Sequence, residues 1–336
     1  MRRFPGALLD IAYALPEGVL TNATLRAAHP DWKVERTARR TGVLERRIAA
    51  PEQTAYDLAL PAVEALLARH PGLHDAIDGI LFCTQSPDYV MPSNAFLLQR
   101  DLGFNKNILA LDFNLACSGY VYGLLMASSF ISTGVARNIL LVTADTYSKY
   151  LAEDDRSTRM LFGDGAAATW VGDPAVCATR PLLRHFDDFQ CGSDGSGWDK
   201  FIVRSGANRQ PAACVGAADY DDKIHMNGLQ VLNFVNDRVV RQIADLLARN
   251  ELAIDDVDQF FLHQASRLAL DSLGNRLKID PSKLFSNLET VGNTVSSSIP
   301  ILIKDYFDAA DLDDGSRVLL CGFGVGFSWG SLLAVR

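Results

Sequence analysis

The chain holds 336 residues, 48% of them hydrophobic and 21% charged, with a formal net charge of −8. That length and apolar share suffice for two core-bearing units of a soluble globular protein, and the acidic balance argues against general nucleic-acid binding, which needs a basic footprint. The cysteines (Cys83, Cys117, Cys177, Cys191, Cys214 and Cys321) form no CxxC pair, which disfavours a disulfide frame or a zinc site and points to reduced thiols in a cytoplasm.

Arg2 and Arg3 precede a weakly apolar stretch that Pro5, Asp10 and Pro16 interrupt, so no signal peptide is read. Lys33–Arg47 packs six basic residues into fifteen, either a site for phosphate groups or a solvated face. A helical pattern over Tyr56–Arg69 and an acidic turn lead into Ile77–Ser86, an apolar run with the character of a strand buried on both faces. A second strand-like run, Asn107–Ala116, ends at Cys117, and an apolar helix follows over Ser118–Thr133. That helix is too short, and too rich in Ser and Gly, to cross a bilayer. A thiol at its start faces unpaired N–H groups and partial positive charge, which favour thiolate and lower the pKa. Gly119 then leaves room beside the sulfur for a substrate carbonyl. The competing reading is a small buried hydrophobe.

The second half repeats the first. Val239–Asn250 reads as a helix, and Val257–Ser266 matches Ile77–Ser86 at a separation of about 180 residues. Arg137–Asp145 pairs with Arg317–Gly324, and Phe162–Trp170 with Phe323–Gly330. Three matches in one order predict a duplicated α/β unit, with halves at 1–175 and 176–336. Residues 147–160 and 185–225 read as loops or extensions. His263 ends the second copy of the strand, either as a satisfied structural histidine or as a catalytic one. Asn293 follows a glycine at the mouth of a helix, as a cap or as a donor to substrate. Near the C-terminus Gly322, Gly324 and Gly326 expose backbone N–H groups that suit an oxyanion. Together these describe a nucleophilic cysteine, two hydrogen-bond donors and an amide-lined turn.

Ala116-Cys117-Ser118-Gly119, His263-Gln264-Ala265-Ser266, Gly292-Asn293-Thr294, Phe162-Gly163-Asp164-Gly165 and the glycine-rich run 322–331 resemble β-ketoacyl-[acyl carrier protein] synthase III, among the thiolase-like condensing enzymes. The likeness runs from Thr41-Gly42 to the C-terminus. It implies an α/β fold, the thiolase-like duplicated αβαβα five-layered sandwich, in a homodimer. By the same resemblance Cys117 takes an acyl group from a thioester, and His263 and Asn293 hold a malonyl thioester while it loses carbon dioxide. The enolate then attacks the acyl group, with the amides of Cys117 and Val325 as oxyanion hole. Coenzyme A or phosphopantetheine thioesters are substrates, an acyl carrier protein is a partner, and no tightly bound cofactor or metal is expected.

Asn293, where elongating synthases carry a second histidine, resembles the initiating branch. Arg40 and Arg156 match nucleotide-contacting arginines, whereas the family's adenine-stacking tryptophan falls at Arg36, with Trp32 four residues earlier. Arg267 stands one place before the usual carrier-docking arginine, and Met91 matches a residue that crosses the dimer interface to shape the acyl pocket. These departures suggest a specialised or secondary-metabolic role. The alternatives are acyl transfer to an alcohol or amine without decarboxylation, a cysteine peptidase, and a non-catalytic partner subunit.

Overall fold

The computed structural model describes residues 3–176, 179–214, 216 and 219–336; Arg2 and Cys177 of the sequence reading lie outside them. One sheet contains β1 (Ala7–Ala14), β2 (Gly79–Cys83), β3 (Leu109–Phe113), β4 (Asn138–Asp145) and β5 (Gly165–Gly172), in the order β1-β5-β4-β2-β3. A second contains β6 (His185–Ser193), β7 (Gln259–Leu262), β8 (Arg317–Gly324) and β9 (Ser328–Val335), in the order β7-β8-β9-β6. In both, a parallel pair (β2 with β4, β7 with β8) continues into two antiparallel neighbours. The three sequence matches therefore fall on strands with the same place in each sheet: β2 and β7, β4 and β8, β5 and β9.

The helices that cover the sheets are α1 (Ala55–Arg69), α2 (Asn94–Asp101), α3 (Gly119–Ser132), α4 (Val240–Arg249), α5 (Arg267–Leu277) and α6 (Ser298–Ala309). Strand alternation builds the layers. Ile80 and Phe82 of β2 and Leu140 and Val142 of β4 point to an outer core with α1 and α2. Leu81 and Leu141 between them point to a central core with α3 and α6. In the second sheet Leu319 and Cys321 face an outer core with α4 and α5, while Leu320 joins the central core. Helices α3 and α6 thus lie between the sheets and touch both, giving five layers.

The segment 185–225 is not only loop: it supplies β6 and a ribbon of Phe201–Val203 against Ile224–Met226. Two acidic residues, Asp187 and Asp188, disguise β6 as polar. Asp188 is buried but meets Arg249 at 2.8 Å and Asn250 at 2.9 Å, partners some sixty positions away that no local pattern reveals. Segment 147–160 forms a turn at Tyr147–Tyr150 and a short helix, Arg156–Arg159, capped by Asp155.

Candidate active site

Cys117 stands two residues before α3, in a turn where the amide of Gly119 donates to the carbonyl of Ala116 at 2.7 Å. Strand β8, from the other half, lets it sit there. A Cβ on Gly322 would lie 2.6 Å from the Cys117 carbonyl oxygen, and one on Gly324 would lie 3.0 Å from Cys117 Cβ and 3.3 Å from its sulfur. These two glycines serve close packing of backbone against backbone, a role the sequence reading missed. The buried hydroxyls of Ser118 and Ser328, 2.7 Å apart, tie the turn to β9. Gly119 does not open space for a substrate as the sequence reading expects; it packs on Cys83, with which a Cβ would collide.

Electrostatics correct a second expectation. Burial pushes the Cys117 thiol well above its ordinary range, and the Asp145 charge adds to this. The backbone hydrogen bond at Cys117, which lowers it, does not offset desolvation, which favours the thiol over the thiolate. Asp145 is itself pushed up to about 7 by burial, against hydrogen bonds from Ser296, Gln85 and Thr84.

His263 follows β7, and its backbone N–H donates to the Cys321 carbonyl at 2.8 Å, one rung beyond the β7–β8 pairing. Its Nδ1 lies 2.6 Å from Ser298 Oγ, and burial lowers the imidazole to about 3, so the ring rests neutral. Asn293 uses both ends of its carboxamide. Oδ1 accepts the Val295 N–H at 2.9 Å, capping the turn that leads into α6. Nδ2 is left 3.4 Å from the Ala265 carbonyl and 3.5 Å from His263 Nε2.

One cavity of about 370 Å³ is lined by Cys117, His263 and Asn293 together with Gly324. Its wall is apolar (Phe162, Phe201, Leu232, Val235), its rim includes Arg40, and among the described residues no carboxylate lines it. A groove of about 870 Å³ beside Leu15–Leu20 is larger but holds no cysteine or histidine; chemistry, not size, selects the smaller one.

The remaining candidates do not line this cavity. Val325 lies one residue beyond β8, and its carbonyl accepts from Ser328 at 2.9 Å. Trp32 precedes the helix Val34–Thr41 instead of lying on it, and stacks on His29 at 4.0 Å. Arg36 and Arg156 are exposed outside the cavity wall. Arg267, also exposed, packs against Gly42 and borders two neighbouring hollows. Of the basic run, Arg46 is fully buried, donating to Leu20, Asn22 and Met160, and Arg47 donates to Pro16. These two hold the fold and offer nothing to phosphate. Val90 and Met91, before α2, are 93% and 79% exposed.

The chain matches the family model for 3-oxoacyl-[acyl-carrier-protein (ACP)] synthase III over residues 111–195, and that for its C-terminal part over 247–335. It is 35% identical to the β-ketoacyl-[acyl-carrier-protein] synthase III of Chlamydia caviae, over 95% of this chain and 93% of that one. A crystal structure of a 3-oxoacyl-(acyl-carrier-protein) synthase III aligns with a TM-score of 0.91 and 43% identity, covering 98% of this chain and 99% of the other. A 3-oxoacyl-(acyl-carrier protein) synthase from Burkholderia xenovorans LB400 aligns at 0.89 with 30% identity, over 100% and 95% of the two chains. Similarity of that depth, spread across both halves, places the chain in the 3-oxoacyl-[acyl-carrier-protein] synthase III family of condensing acyltransferases.

Proposed function

We propose that Cys117 is the acyl carrier of this enzyme and that His263 and Asn293 activate a malonyl thioester. In the first half-reaction the thiol loses its proton as sulfur attacks the donor carbonyl, and the departing thiolate takes that proton. In the second, the bond to the malonyl carboxylate breaks, carbon dioxide leaves, and the electron pair forms an enolate. Its oxygen lies against His263 and Asn293; its carbon attacks the acyl group on Cys117. Collapse of the resulting oxyanion, held by the amides of Cys117 and Val325, releases a β-ketoacyl thioester, and the freed thiolate takes a proton from solvent.

The observation that carries this reading is the pairing of two nitrogens, Asn293 Nδ2 and His263 Nε2, 3.5 Å apart in a cavity that also holds the thiol and, among the described residues, no carboxylate. Decarboxylation generates the carbon nucleophile without a base, so the site needs donors for an anion and nothing to remove a proton from carbon. Donor thioesters of coenzyme A or phosphopantetheine enter past Arg40, with Arg36, Arg156 and Trp32 at the outer surface and Arg267 toward a carrier protein. We place the partition of the chain at residues 175/176 and the enzyme in the cytoplasm; among the described residues no helix is long and apolar enough to cross a membrane. A homodimer is supported by the exposed Val90 and Met91, and by β3, which pairs on one side only among the described strands. Met91 of each copy then borders the other's acyl pocket.

The test is a panel of acyl-CoA and acyl-carrier donors read by intact-protein mass. A donor-specific mass should appear on Cys117 and vanish in Cys117→Ser. His263→Ala and Asn293→Ala should load normally and fail to condense; loss of loading in those two would reverse their assignment.

A further inference from the structure

Ser298 is not part of the cavity wall, yet it touches the residue on which the second half-reaction depends. Its Oγ lies 2.6 Å from His263 Nδ1, and the backbone N–H of Gln264 donates to the same oxygen at 3.4 Å. Gln264 is itself anchored: its Nε2 donates to the Leu262 carbonyl at 2.8 Å, and its Oε1 accepts from Ser286 Oγ at 2.6 Å. With a donor already directed at Oγ, the single hydroxyl hydrogen has His263 Nδ1 as its acceptor, the only one the described contacts give it.

We propose that Ser298 is a positioning residue that holds His263 in the tautomer carrying its proton on Nε2. The inference rests on the assignment of His263 and Asn293 to the malonyl carbonyl. A proton donated into Nδ1 leaves Nε2 as the N–H of the neutral ring. Asn293 cannot turn its oxygen inward, because Oδ1 already accepts from Val295 at 2.9 Å. Both groups facing the cavity are then donors. Their 3.5 Å separation is long for an N–H···N bond, and with hydrogen on both atoms it becomes a gap straddled by two N–H groups. An enolate oxygen placed there receives both hydrogens. In the opposite tautomer the Nε2 lone pair would accept from Asn293, closing the pair on itself, and the Ser298 hydrogen would lose its acceptor. One hydroxyl hydrogen therefore decides whether the site is open to an anion.

The experiment compares wild type, Ser298→Ala and Ser298→Thr, each checked for its melting temperature. Nitrogen-15 NMR of the histidine ring reads the tautomer directly in the free protein. Wild type should show protonated Nε2 at His263, Ser298→Ala a mixture, and Ser298→Thr the wild-type form. Loading of Cys117 in Ser298→Ala should stay within about twofold of wild type, while kcat for condensation falls at least about tenfold with a smaller change in KM; a wrong tautomer in a serine protease costs roughly 10⁴-fold. Threonine should restore most of the rate. A wild-type ring protonated at Nδ1, or a Ser298→Ala enzyme that condenses within about twofold of wild type, overturns the proposal. A wild-type enzyme that loads but never condenses would instead remove the function assigned to His263, and the ring spectrum would still decide the tautomer.

Discussion

Replacing Gly324 with alanine puts a methyl carbon 3.0 Å from Cys117 Cβ and 3.3 Å from its sulfur. Relaxed carbon–carbon contact needs about 3.5–4.0 Å, so either the strand or the sulfur must retreat by roughly half an ångström to one ångström. Overpacking of this kind costs about 1–3 kcal/mol in stability. A reacting atom displaced by about 1 Å can lose on the order of 100-fold in rate. The substitution should therefore show a modest fall in the denaturation midpoint with a disproportionate loss of acyl loading. Gly322→Ala differs: its methyl would meet backbone, 2.6 Å from the Cys117 carbonyl oxygen and 2.9 Å from Ser118 Cα, so its stability cost should reach or exceed the upper end of that range. Gly195→Ala, with nothing within 4 Å, is the neutral control. Chemical denaturation and single-turnover loading followed by intact mass separate the two effects. Wild-type loading in Gly324→Ala, or wild-type stability in Gly322→Ala, would refute the packing of the Cys117 turn on β8.

Because burial raises the Cys117 thiol, its alkylation by iodoacetamide should still be accelerating above pH 9, its ordinary value; a plateau near neutral pH would mean a resting thiolate. Two buried groups oppose each other in the pH dependence of stability. His263, lowered to about 3 from 6.5, contributes stability that is lost as pH falls from 6.5 toward 3, while Asp145, raised to about 7 from 3.8, contributes stability that is lost as pH rises from 3.8 toward 7. Between about pH 4 and 6.5 each slope is about 1.4 kcal/mol per pH unit and the two largely cancel. Relative to wild type, His263→Gln should become less stable with rising pH in that window and Asp145→Asn more stable; urea titrations in which both variants track wild type would contradict the burial argument. Val90→Asp places a charge at a 93%-exposed apolar position and should shift sedimentation toward monomer; an unchanged species would exclude this face as the dimer contact.

The parts of the fold visible in the sequence are those whose neighbours are local or whose burial is complete. Leu81, Leu141 and Leu320 sit in uninterrupted apolar runs because both strand faces are covered, which is why the duplicated strands could be matched. The cysteine, histidine and asparagine stand out for a related reason: each is a buried polar or reactive side chain at the end or mouth of an element that the apolar pattern marks. What stayed hidden depends on distant partners. β6 is masked by Asp187 and by Asp188, whose carboxylate Arg249 and Asn250 satisfy. Gly322 and Gly324 read as exposed amides until Cys117 is brought against them. Arg46 reads as surface charge until Asn22 and the carbonyls of Leu20 and Met160 surround it. The thiol's protonation depends on desolvation, which no single-residue pattern carries.

The central claim is that loss of carbon dioxide and release of the acyl group from Cys117 are coupled one for one within a turnover, organised by His263 and Asn293. The direct measurement loads Cys117 with one acyl group, adds a malonyl thioester labelled in its free carboxylate, and counts both products in a single turnover. Equal amounts of labelled carbon dioxide and β-ketoacyl thioester are predicted, with Cys117 returned to its free mass and neither product formed by His263→Ala. Acyl release to an alcohol or amine without carbon dioxide would contradict the account.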